Sequence, residues 1–106
     1  MESQGKKVLR LTLKKKWFDM ISSGEKKEEY REIKPYWKVR LIDQKKIWAR
    51  PQSQWKFNKF DVVEFKNGYG KNAPTITVEC KGISIGKAKP EWSDNWQGDV
   101  FIIKLG

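Results

Sequence analysis

Gly24-Glu25-Lys26-Lys27-Glu28-Glu29-Tyr30-Arg31 is the passage on which the reading of the fold turns. Gly24 stands where a short amphipathic segment should stop, and the residues after it read as a strand. Side chains along a strand alternate faces. Glu29, Arg31 and Ile33 therefore share one face, and Tyr30, Glu32 and Lys34 the other. Lys26 sits in the turn before the strand, able to lean over the Glu29/Arg31 face. Two cations and an anion on the inward side of a strand form a polar cluster that must either hold a guest or satisfy itself.

Upstream, Val8 to Leu13 alternates as a strand, with Leu9, Leu11 and Leu13 inward and Arg10 and Thr12 on the other face. Lys14 to Ser23 is predicted to be a short helix, because Trp17, Met20 and Ile21 fall at i, i+3 and i+4 and Gly24 is a helix stop. Lys14, Lys15 and Lys16 crowd the helix start, where positive charge opposes the macrodipole.

Downstream of a strand over Glu28–Ile33, Pro35 can open a second helix, since proline suits the first helical position. There Tyr36, Val39 and Ile42 face one way, with Trp37 and Leu41 adjoining. Asp43 to Lys59 is polar, basic and unpatterned, with Trp48 and Trp55 set among the charges. Such a stretch either stacks on bases along a nucleic-acid backbone or folds its tryptophans back onto the core.

Phe60–Lys66 reads as a strand ending at the turn signal Asn67-Gly68, and the loop through Pro74 carries Tyr69. Thr75–Ile85 alternates, with Ile76, Val78 and Cys80 on one face and a bulge expected at Gly82. A loop with Trp92 and Trp96 follows, and Val100–Leu105 closes the chain as a strand. Five strands, two early helices and mixed connections predict one compact α+β domain over residues 1–106, its curved sheet partly closed into a barrel.

Composition narrows the function. The 106 residues include 23 Lys and Arg against 13 Asp and Glu, a formal charge of +10 that favours polyanionic partners. No histidine is present, which removes Ser-His-Asp and Cys-His catalysis and the commonest zinc sets. Neither a metal nor a cofactor is expected. The lone Cys80 cannot form an internal disulfide, and it reads as an inert residue of an apolar strand face. No apolar run reaches membrane-spanning length, and Met1 to Lys7 is too short and polar for a signal peptide. These features point to a cytoplasmic monomer.

The spacing Gly24-x-Lys26-x-x-Glu29-x-Arg31, within this order of elements, resembles the G-x-K-x-x-E-x-R signature of the ASCH domain, a relative of the PUA RNA-binding fold. The resemblance runs from Val8 to Leu105. It implies a β-barrel with a cleft beside the first helix, lined by the motif, and a role in RNA binding, in coactivator-type regulation or, for some members, in hydrolysis. Small bacterial members resemble amidohydrolases acting on an acylated cytidine, with the motif lysine paired to a threonine three residues on and to a downstream glutamate. Here Lys26 matches the lysine, Glu29 stands at the threonine position, and Glu79 and Glu91 are the candidates for the downstream acid.

The residues themselves allow two chemistries. Burial and Arg31 lower the pKa of Lys26 while Glu29 raises it. A lowered pKa would let Lys26 act as base or nucleophile, with Glu29 as its catalytic partner. An ammonium held by Glu29 would leave a fixed receptor, in which Arg31 grips a phosphate and Glu29 accepts from an exocyclic amino group. The expected ligand residues are Lys26, Glu29, Arg31, Arg10, Asn67, Tyr69 and Trp92, for RNA or a nucleotide-type guest. A modified-nucleoside hydrolase and a protein-interaction module are the alternatives.

Overall fold

The computed structural model describes residues 7–43, 51–52, 55–94 and 96–106. Strand β1 spans Val8–Leu13, helix α1 Lys15–Ser22, strand β2 Glu28–Glu32 and helix α2 Pro35–Leu41. Strands β3 (Val62–Asn67) and β4 (Thr75–Gly86) follow, then a 3₁₀ turn over Pro90–Trp92, and β5 (Val100–Leu105) ends the fold. The strands lie in the order β1-β3-β4-β5-β2. Only β1 and β3 run parallel; the other three pairs are antiparallel.

Strand β4 makes this arrangement possible. Its first half pairs with β3 and its second half with β5, and the register shifts between Cys80 and Gly82. Gly82 adopts φ +140°, a conformation that side chains disfavour, so the expected bulge falls where a glycine can form it. The sheet stays open among the described residues: β1 and β2 are its two edges, and no ladder joins them.

The main core gathers Leu9, Leu11 and Leu13 of β1, Trp17, Phe18 and Ile21 of α1, and Phe101, Ile103 and Leu105 of β5. A second cluster, Tyr30, Val100 and Ile102, lies on the opposite face of β2 and β5 with Trp92 and Trp96 against it. Strand β5 is thus covered on both sides, which explains its nearly unbroken apolar run, Val-Phe-Ile-Ile-Lys-Leu. Residues paired in register share a face. Glu29 opposite Ile103 and Arg31 opposite Phe101 therefore belong to the main-core side, and Tyr30 opposite Ile102 to the other.

One expectation changes, and one open alternative is decided. In α2 the exposed stripe is Tyr36 and Val39, while Leu41 and Ile42 are buried and Trp37 is half-buried against the core. The i, i+4 pair Trp37/Leu41 outweighs the i, i+3 pair because it continues into Ile42, which bridges to Phe57. Trp55 folds back onto the core, its ring 6.5 Å from that of Phe101. Trp48, Lys45, Lys46 and Arg50 lie outside the described residues.

Candidate functional site

The end of α1 sets the site. The Ser23 N–H bonds the Asp19 carbonyl and the Gly24 N–H the Ile21 carbonyl, and Gly24 takes φ +88°. This left-handed cap turns the chain sharply, as glycine readily permits. The Lys26 N–H then returns to the Met20 carbonyl at 2.9 Å, which fixes Lys26 beneath the helix it follows.

From there the Lys26 ammonium points into the protein. It is 1% exposed, and its Nζ donates to Glu29 Oε1 at 2.8 Å and to the Glu28 carbonyl. The rings of Tyr30 and Trp17 lie 4.8 and 5.6 Å from it. Glu29, 5% exposed, receives Arg31 Nη1 on its other oxygen. Arg31 continues outward: Nη1 also donates to the Tyr30 carbonyl at 2.7 Å, and Nη2 to the Thr12 carbonyl of β1 at 3.1 Å. One arginine side chain therefore ties the two sheet edges together.

Burial lowers the pKa of Lys26, against the charge and hydrogen bond of Glu29, which raise it, while Arg31 adds a smaller lowering. Burial likewise raises that of Tyr30, whose hydroxyl donates to Glu28 Oε1 at 2.7 Å and accepts the Lys89 N–H at 3.2 Å. That bond anchors the residue preceding the Pro90–Trp92 turn to β2.

Between the sheet edges opens a cleft of about 880 Å³. Its walls include Arg10–Leu13 of β1 and Glu29–Glu32 of β2, so it occupies the gap that an open sheet leaves. Glu29 and Arg31 form part of its lining, whereas Lys26 does not reach it. Lys26, expected among the ligand residues, lies behind the lining instead, its ammonium bonded to Glu29 and the Glu28 carbonyl.

Arg10, Tyr69 and Trp92 line the cleft, as expected of ligand residues. Asn67 does not; its N–H closes the turn on the Pro74 carbonyl at 2.9 Å, and the neighbouring Gly68 and Tyr69 reach the cleft instead. Glu79 and Glu91, the candidate downstream acids, are also absent from the lining. The aromatic wall contributed by Trp17, Tyr36, Trp37 and Trp96 was missed among the ligand residues, as were Lys14 and Lys34. Pro35 offered a signal for part of it, since a helix starting four residues after Arg31 must carry Tyr36 and Trp37 near the motif.

The cleft offers several contacts to a polar aromatic guest. A guanidinium has five N–H groups and a carboxylate oxygen two lone pairs. With three donors of Arg31 engaged and one partner on each Glu29 oxygen, donor and acceptor capacity remains side by side at the floor. At the rim, Arg10 meets Glu64 at 3.2 Å, Lys14 meets Asp94 at 3.4 Å and Lys34 meets Glu32 at 3.3 Å. Such exposed pairs contribute little, so a phosphate can exchange with the carboxylates at small cost.

Among the described residues no helix is long and apolar enough to cross a membrane, and no three His, Cys, Asp or Glu side chains gather in a metal-ligating group. No protein-family model, curated protein or solved structure matches the chain.

Proposed function

We propose that this chain is an ASCH/PUA-like domain, cytoplasmic and monomeric, that binds RNA or a nucleotide in the cleft between its sheet edges. The family assignment rests on the Gly24–Arg31 motif and the order of elements around it. Curvature bringing β1 and β2 together across the Arg31–Thr12 bond is the support for a barrel-like form. The observation that carries the functional reading is a cleft combining a buried Glu29–Arg31 floor, aromatic walls and a cationic rim in a protein of charge +10.

The floor sets a carboxylate beside a guanidinium. A base edge presenting a donor next to an acceptor matches that pair. Phosphate then belongs at the rim with Arg10, Lys14 and Lys34. Hydrolysis is the weaker reading, since Lys26 is enclosed and neither Glu79 nor Glu91 lines the cleft.

Titration of nucleoside monophosphates and short RNAs against intrinsic tryptophan fluorescence tests the proposal. Tyr69→Ala, at a side chain 90% exposed, should weaken binding without lowering the melting temperature. Affinity unchanged by Tyr69→Ala and by Arg31→Lys would place any ligand elsewhere.

A further inference from the structure

Helix α2 carries an aromatic-cation ladder that runs outward from the cleft floor. Trp37 lies against the Arg31 guanidinium, 5.2 Å from carbon to ring centroid. Tyr36 meets Trp37 edge to face at 4.8 Å, and the Arg40 guanidinium covers Tyr36 at 3.6 Å. Arg40 is fixed in place by a bond from Nη1 to the Tyr36 carbonyl at 3.1 Å. Tyr36 is 52% exposed and still lines the cleft, and Val39 beside it is 62% exposed. A large apolar ring held rigid at a cleft mouth, beside an arginine with no acidic partner among the described residues, lacks any role in the core. Its chemistry is that of a stacking platform flanked by positive charge.

We infer that the cleft and the outer face of α2 form one continuous track for a single-stranded nucleic acid of two or more nucleotides, with one base at the Glu29–Arg31 floor and the next stacked at Tyr36/Arg40. This rests on the proposed function above and extends it from a nucleotide to an unpaired strand. A volume of about 880 Å³ stands near the upper end of the small-ligand range, enough for more than one nucleotide. The electrostatics agree. With a base edge filling the floor, the phosphates lie outward, where the cations of the rim and of α2, Lys34 and Arg40 among them, follow a strand leaving the cleft. A paired base has its Watson–Crick edge occupied and cannot present it to the floor, which selects against a duplex.

Fluorescence anisotropy at low salt tests this with three probes: ribonucleoside 5′-monophosphates as competitors, labelled homotetranucleotides of the same bases, and a blunt RNA hairpin. The tetranucleotide should bind at least tenfold more tightly than its monophosphate, and the hairpin no more tightly than the monophosphate. Losing one stacked base costs about five- to 150-fold. Tyr36→Ala should therefore remove most of the gain from monophosphate to tetranucleotide, and Tyr36→Phe should restore it. Equal affinity for monophosphate and tetranucleotide, or a gain untouched by Tyr36→Ala, would overturn the track while leaving the nucleotide cleft standing. Inorganic polyphosphate of matched charge binding as tightly as the tetranucleotide would reduce the surface to charge alone and overturn the track too. Binding of neither nucleotide probe would overturn the cleft reading beneath it.

Discussion

Glu29→Gln isolates the energetics of the buried cluster, because it removes one charge and almost no volume. In the native protein the Glu29 carboxylate lies between Lys26 and Arg31, with side-chain exposures of 0% for Lys26 and 7% for Glu29. After the change Lys26 loses its counter-charge and keeps only neutral acceptors, the Glu28 carbonyl and the amide oxygen introduced at position 29, beside the two ring faces. An uncompensated buried charge of this kind costs about 3–5 kcal/mol. For a domain of this size that lowers the melting temperature by about 12–20 °C.

The pH dependence supplies a sharper test. The folded Lys26 already has a pKa below its ordinary 10.5, with burial the dominant cause. Between the folded value and 10.5 the unfolded chain binds more protons, so stability rises with pH across that window. Glu29 opposes this lowering by its charge and hydrogen bond. Removing it drops the folded pKa further and widens the window downward. The deficit of Glu29→Gln relative to wild type should therefore shrink between pH 7 and pH 10. Urea denaturation followed by tryptophan fluorescence at several pH values measures it. A deficit below about 1 kcal/mol at pH 7, or one that grows as pH rises, would refute the account of Lys26 as a charge held by Glu29.

Other changes probe the remaining links. Arg31→Ala should lose ligand binding and destabilise the gap between β1 and β2, because the Thr12 and Tyr30 carbonyls lose their donor; Arg31→Lys should restore neither fully, since an ammonium cannot span the same acceptors. Tyr30→Phe should cost about 1–3 kcal/mol in denaturation and weaken binding through the loosened Trp92 wall. Cys80 should react with a disulfide reagent at pH 8 more slowly than a free thiol, because burial raises its pKa and leaves less thiolate. Binding of a short RNA through the rim cations Arg10, Lys14 and Lys34 should fall with salt at a log–log slope of about −2, measured by titration from 50 to 200 mM.

The amino-acid pattern carried the local elements well. Val8–Leu13 and Val100–Leu105 were legible to the residue because alternation and a buried run each set one strand. The bulge at Gly82 and the stop at Gly24 were legible because each needs a backbone that glycine adopts easily. Faces were harder. Tyr36/Val39 and Trp37/Leu41 are equally good apolar stripes on paper, and only the approach of Phe57 and the core to Ile42 decides between them.

The cleft was legible in its motif but not in its walls. Glu29 and Arg31 were placed on one face by period-two alternation, and their pairing partners Ile103 and Phe101 agree. The depth of Lys26 was not, since it depends on the return bond from its N–H to Met20. The parallel pairing of β1 with β3, across some fifty residues of chain, also leaves no local signal; it is what makes β1 an edge and opens the gap beside β2.

The most direct measurement is a nitrogen-proton spectrum of the tryptophan indoles during titration with a short RNA. Trp17, Trp37, Trp92 and Trp96 line the cleft, whereas Trp55 packs on the core away from it. The account requires the four cleft indoles to shift together and saturably while Trp55 stays in place. Movement of Trp55, or of amides around the exposed Lys81 and Lys104, with the cleft indoles unmoved would contradict it.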